Sequence, residues 1–257
     1  MKEMSEHLAV RLAETGTDRQ AAARLRYRIF VEELGGDGPL VDHQGRFERD
    51  RFDEHFDHLV LVDARRDPGG LDHVVGVYRM MPEEKAAAGF YSEGEFDLSV
   101  LKASGRRLLE LGRSCVDPAY RNGLAMHLLW QGLADYALVR EVEVLFGVAS
   151  FHGTDAAALA QPLSHLRQVF IAPPDLRVTA RPGPAFQPMD LLPPGDIDRV
   201  AAMRAVPALI KSYLKLGGFV GEGAFIDRAF NTIDVCLVMD TARMSAEARA
   251  RYSGRVE

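Results

Sequence analysis

Short apolar runs alternate along the chain with longer stretches whose apolar residues recur at helical spacing. Leu8–Ala13 alternates as a strand does. In AAARLRYRIFVEEL the apolar residues fall at helical intervals, which predicts a helix capped by Asp18 and ended by Gly35, Gly36, Gly38 and Pro39. HLVLVD (58–63) and HVVGVYRMM (73–81) flank the turn-rich RRDPGGLD and predict a hairpin. Residues 83–104 suggest short helical pieces and loop. RLLELGRSCVD (107–117) predicts a strand, RNGLAMHLLWQGLADYALVREV a long amphipathic helix and EVLFGVAS (143–150) a buried strand. DAAALAQPLSHLRQ reads as a further helix, although Pro162 sits awkwardly in its middle. Residues 171–195 are Pro-rich and predicted irregular. Asp196 or Asp198 should cap a helix reaching about Leu216, kinked at Pro207. TIDVCLVMD (232–240) is the last strong strand, and MSAEARARYS predicts a polar terminal helix.

This order of elements is that of an α/β fold with a mixed sheet. No G-x-G-x-x-G follows a strand, so no nucleotide cofactor is expected. A single domain over 1–257 is expected, with a core at 1–170 completed by residues 171–257. Residues 40–57 are polar, and so long a loop in a compact domain points to function.

Composition narrows the classes. Of 257 residues, 47% are hydrophobic and 26% charged, as in a soluble globular protein. The formal charge of -6 argues against nucleic acid as partner. Cys115 and Cys236 both lie in apolar runs, which fits a reducing, cytoplasmic setting. The first residues lack the apolar core of a signal peptide. No apolar run approaches the roughly 20 residues of a membrane span, so any membrane contact should be peripheral. His55, Asp57 and His58 lack a further ligand at suitable spacing, and no metal is expected.

The chemistry concentrates in LELGRSCVDPAYRNGLAMHLLW. A strand carrying Glu110 and Arg113 turns at Asp117-Pro118 into a helix opened by Arg121, Asn122 and Gly123. Glycine and arginine at a helix N-terminus suit an anion, because free N–H groups and the positive end of the dipole face it. Glu110 beside a ligand cleft is a candidate general base for an ammonium, or a buried partner of Arg113 or Arg79. A backbone N–H near Ser114, Cys115 and Val116 could hold the oxyanion formed when an amine attacks a thioester. Cys115 lacks an adjacent base and reads more simply as core. Ser150 and His152 end the next strand and could line the same thioester.

Four motifs occur in one order: R-x-x-x-F at Arg26 and Phe30, E-x-D-x-x-D at Glu48, Asp50 and Asp53, a strand arginine at Arg79, and E-x-x-R at Glu110 and Arg113. This is similar to the acyl-homoserine lactone synthases. The chain more closely resembles the ornithine-lipid type (hemolysin-like) of N-acyltransferase, of the Gcn5-related N-acyltransferase superfamily. GRSCVDPAYRNG, K-S-Y-L-K-L-G (211–217) and I-D-x-x-F-x-T-x-D (226–234) carry that choice. The resemblance implies a mixed, V-shaped sheet flanked by helices, split between the Glu110 strand and the next, with a helical C-terminal extension. It implies transfer of a 3-hydroxyacyl group from acyl carrier protein to the α-amine of ornithine, with no further cofactor. Lactone synthesis and non-catalytic carrier binding are the alternative readings. Glu110 and Arg113 would be catalytic. Arg26, Phe30, Glu48, Asp50, Asp53 and Arg79 would serve the acceptor: carboxylates for its distal ammonium, Arg79 or Arg113 for its α-carboxylate. Ser114, Cys115, Val116, Arg121, Asn122 and Gly123 would serve the phosphopantetheine donor, although R-N-G-L-A is one residue shorter than the superfamily's usual anion loop. An acidic carrier needs positive charge at its docking surface. Arg121, Arg167, Arg177 and Arg181 are candidates, with Arg204, Lys211 and Lys215 on one face of a single helix.

Overall fold

The computed structural model describes residues 7–244. The predicted polar helix after Met244 lies outside the described residues. In chain order the elements are β1 (Leu8–Leu12), α1 (Gly16–Arg26), a π-helical segment (Tyr27–Glu33), β2 (Asp57–Asp63), β3 (Val74–Pro82), β4 (Phe96–Asp97), α2 (Ser99–Lys102), β5 (Leu108–Val116), α3 (Leu124–Val139), β6 (Val144–His152), α4 (Ala160–Phe170), β7 (Thr179–Ala180), β8 (Phe186–Gln187), α5 (Arg199–Ala205), α6 (Ala208–Lys215), β9 (Phe219–Val220), β10 (Ala224–Asp227) and β11 (Thr232–Asp240).

Local chemistry moves several boundaries. Thr15, not Asp18, is the N-cap of α1; Asp18 is its capping-box partner three residues on, and also pairs with Arg11. The helix does not stay α-helical through VEEL but widens at Tyr27 into π turns. Pro162 falls in the first turn of α4, where no N–H is needed, so it does not interrupt the helix. Pro207 does more than kink: α5, capped by Asp198, ends before it and α6 starts after it. Arg204 therefore stands on a different helix from Lys211 and Lys215, and the three do not form one helix face. The short strands β9 and β10 were not expected, because GGFVGEGAFID is glycine-rich and carries no alternation.

The chain forms two compact units. The first holds the residues up to Ala86 with Leu111–Glu141. Its strands β1, β2 and β3 pair antiparallel, and β5 neighbours β3. Leu59–Val62 is an unbroken apolar run because both faces of β2 are covered. Val60 and Val62 pack with Ala21, Ala22 and Leu25 of α1. Leu59 and Leu61 meet α3, where Gly132 is required: a Cβ there would lie 2.4 Å from Val10 and 3.3 Å from Leu59.

The second unit holds Ala87–Glu110 and the described residues from Val142 onward. β6 and β11 pair antiparallel along their whole lengths, β10 extends the sheet to β8, and β9 pairs with β11. β5 and β6 pair in parallel over Leu108–Glu110 and Val144–Phe146, and among the described residues the ladder ends there. The Pro-rich segment is irregular yet tethered. Ser164 accepts from the N–H groups of Leu191 and Leu192, and Glu222 donates its N–H to the Val178 carbonyl and accepts from Ala180 N–H. Among the described residues no helix is long and apolar enough to cross a membrane.

Candidate active site

In the first unit, sequence-distant charges converge. Arg26, fully buried, donates through Nε to Glu48 at 2.5 Å and grips Asp53 with both terminal nitrogens at 2.5 and 3.1 Å. Arg79, also buried, lies 2.8 Å from both Asp53 and Asp50, with its guanidinium 4.3 Å above the Phe56 ring. Arg113 reaches Glu48 at 3.1 Å and Asp50 at 3.3 Å, and lies over Phe30. The predicted acceptor set and Arg113 thus form one network of three arginines and three carboxylates, neutral in sum.

Burial alone would raise the Glu48 carboxyl, but Arg26 and Arg113 hold it down to about 2. Asp53 is likewise held far below the carboxylate range against its burial, chiefly by Arg26. Buried His58 is pushed down to about 4 by desolvation and the Arg26 charge, so it is neutral at pH 7. Glu48 is sealed, whereas Asp50, Asp53 and Arg113 keep part of their side chains accessible. A cavity of about 560 Å³ opens beside Asp53, lined by Arg19, Arg49, Glu54, Asp57, His58 and Lys85 among others, and Lys85 pairs with Asp57 at 2.7 Å.

Arg113 itself has φ 49, a left-handed conformation rare for a side-chain-bearing residue inside a strand. Such a residue interrupts the inward–outward alternation of β5 and re-aims its side chain. Strain of this kind costs about 1–3 kcal/mol and concentrates at functional positions.

Further along β5, Cys115 packs into the α1 core and burial pushes its thiol up to about 12, so it is no nucleophile. Ser114 and Val116 share this edge strand of the first unit's sheet. Arg121 donates to both oxygens of Glu33 at 2.6 and 2.7 Å and to the Val116 carbonyl. An anion at Arg121 would therefore compete with Glu33. Asn122 caps Leu124 N–H, and Gly123, with φ 90, is the N-cap of α3. Helix geometry leaves the N–H groups of Ala125 and Met126 without an intrahelical acceptor.

Glu110 belongs to the second unit and is 1% exposed. Its Oε2 accepts from Tyr91 N–H at 2.8 Å, and its Oε1 from Ser92 N–H and hydroxyl at 2.6 and 2.5 Å. Tyr91–Gly94 is a short 3-10 turn that presents these donors together. Phe90 just before it stacks edge-on against Phe146, the register partner of Glu110, at 5.0 Å. Sequence reading passed over Tyr91 and Ser92, since a Ser in a loop carries no periodic signal.

Residues 25–131 match the acetyltransferase (GNAT) domain family. The L-ornithine N(alpha)-acyltransferase of Rhodobacter capsulatus is 57% identical over 250 residues, 96% of this chain and 95% of that protein. The N-acyl amino acid synthase FeeM from uncultured soil microbes superposes with a TM-score of 0.55 at 13% identity, covering 95% of this chain and 97% of that one. The acyl-homoserine lactone synthase LasI gives 0.51 at 15% identity, covering 98% and 97%. The last two likenesses establish the shared fold. The chain belongs to the L-ornithine N(alpha)-acyltransferase family of GNAT-fold enzymes, and it is an acyltransferase.

Proposed function

We propose that this enzyme transfers a 3-hydroxyacyl group from the phosphopantetheine thioester of acyl carrier protein to the α-amine of ornithine. The products are a lyso-ornithine lipid and the free carrier thiol. The observation that carries this reading is the 57% identity, along nearly the whole of both chains, to a protein named for that acceptor.

In this reading the amine loses its proton, attacks the thioester carbonyl and forms the C–N bond as the C–S bond breaks. The leaving thiolate takes up a proton. Glu110, fixed by Tyr91 and Ser92, receives the amine's proton directly or through a water. Backbone N–H groups of Ser114–Val116 steady the oxyanion, and the first turn of α3, with Asn122 and Gly123 at its mouth, receives the donor's phosphate. Arg113 supplies the guanidinium for the α-carboxylate. Arg26, Arg79, Glu48, Asp50 and Asp53 act through the network that positions it, and Phe30 gives Arg113 its aromatic support. The lipid product fits work in the cytoplasm with a peripheral hold on the membrane.

The test is a purified reaction with 3-hydroxyacyl carrier protein and ornithine, with S-adenosylmethionine in a parallel tube, read by product mass. The ornithine amide is expected. A homoserine lactone, or donor binding without turnover, would overturn the proposal.

A further inference from the structure

The tail motif I-D-x-x-F-x-T-x-D has no place in the chemistry above, yet the fold gathers its polar members. Asp227 on β10 stands opposite Thr232 on β11, and Asp234 lies two residues further along β11. In an antiparallel pair, opposed residues share a face, as do residues two apart in a strand. All three therefore share one face of the second unit's sheet. Glu95, which follows the turn holding Glu110, completes the group: one oxygen from each of Glu95, Asp227 and Asp234 lies within 4.8 Å of the others.

Glu95 and Asp234 are 7% and 3% exposed, so the group is largely shielded from water. Thr232 is 9% exposed, and its buried hydroxyl, on this same face, has no hydrogen-bond partner among the described residues. A buried hydroxyl without a partner is costly and calls for a ligand atom. We propose that Glu95, Asp227, Asp234 and Thr232 form the recess that binds the side-chain ammonium of the acceptor amino acid. This rests on the acyl-transfer reading above and names what reads the acceptor's second charge.

The geometry suits a primary ammonium. Three hydrogen bonds of about 2.8 Å at tetrahedral angles set their acceptors about 4.6 Å apart. Registers place the recess on the same sheet face as the candidate base. Glu110 is paired with Phe146 on β6, and Ser150 and His152 further along β6 stand beside Asp234 and Thr232. Cys236 shares that face; burial pushes its thiol up, and Glu110 and Glu95 both add to the effect. Ser92, which holds Glu110, also accepts the backbone N–H of Glu95. One short turn thus ties the base to the recess. Asp227 spends Oδ1 on the N–H groups of Ala229 and Phe230. An asparagine there keeps that acceptor and removes the charge.

The experiment compares ornithine with 2-aminopentanoate, which has the same carbon chain without the terminal amine, in wild type, Asp227→Asn and Asp234→Asn. Wild type should favour ornithine by about 100-fold or more in kcat/KM, since a site built for a polar group rejects its absence strongly. Each substitution should raise KM for ornithine about 10-fold or more while KM for the acyl donor stays within about twofold. Turnover of 2-aminopentanoate should not fall. If Asp234→Asn fails to fold, the half-buried Asp227→Asn carries the comparison alone. Unchanged ornithine preference in the folded variants would overturn the inference and leave the acyl transfer standing. A wild type that yields no ornithine amide would overturn both. Tight binding of calcium or magnesium alone, lost in Asp227→Asn while ornithine preference persists, would make this a metal site and overturn the ammonium reading.

Discussion

Two buried acidic groups in this protein have opposite partners. Glu48, Asp50 and Asp53 meet Arg26, Arg79 and Arg113, so their charge is cancelled within the chain. Glu95, Asp227 and Asp234 gather on the sheet face that also carries Thr232. A carboxylate already gripped by a guanidinium has little to offer a ligand, and its removal exposes the cost of the charge left behind. Carboxylates that face each other gain most from a cation brought from outside. On the proposal above, the first group holds position and the second receives the acceptor's ammonium.

The largest expected effect breaks the first group. Arg26→Ala leaves Glu48 and Asp53 buried without their main counter-charge, and should cost about 3–5 kcal/mol. In urea unfolding the midpoint should collapse; a shift equivalent to under about 1 kcal/mol would remove the network from the account of stability.

Acid tests the same group more gently. His58 titrates near 4 in the folded chain against 6.5 ordinarily. Between those values the unfolded chain binds more protons, so stability is complete above about 6.5 and falls as pH drops towards 4, by on the order of 3 kcal/mol. Glu48, depressed to about 2, adds a second loss as pH falls below the ordinary carboxylate range. Urea midpoints measured in pH steps should show the first slope, and His58→Gln should flatten it; an identical slope in the variant would place the titration elsewhere.

The second group should behave in the reverse sense. Asp234→Asn thins a group of three closely spaced carboxyls, so its thermal midpoint should stay within about 1 kcal/mol of wild type. A loss as large as that of Arg26→Ala would erase the distinction between the two groups.

The smallest effect concerns the carrier. Arg121→Glu removes a positive charge already shared with Glu33. KM for acyl carrier protein should rise only about two- to fivefold, and the wild-type rate should decline with salt as charge steering is screened over about 8 Å. A salt-independent rate would point to a donor that needs no steering.

Much of this fold was legible because its signals are local. Apolar runs at 58–63, 73–81 and 232–240 announced strands, the motif order from Arg26 to Arg113 announced the wider group that includes the lactone synthases, and the tail motifs announced the family. The partnerships were not legible. Arg26 meets Glu48 across 22 residues and Arg113 meets it across 65, and no spacing rule links such positions. The acidic run therefore read as a hold for an ammonium, while in the fold arginines claim it first. Glu95 stood in a segment without periodicity, and its neighbours Asp227 and Asp234 read as a family signature without a chemical task. Only the β10–β11 register turns that signature into a face. The breaks at Tyr27 and Pro207 show the limit of periodicity: it locates a helix but not where backbone geometry changes.

The most direct test of the account is mass spectrometry of lipids from a host expressing this gene, beside the same host expressing Glu110→Gln. The account predicts a new amide of ornithine with a 3-hydroxy fatty acid in the first, and its reduction by about 100-fold or more in the second, as loss of a general base requires. A new lipid on a different amine, a homoserine lactone, or an equal yield of the ornithine amide from the Glu110→Gln protein would contradict it.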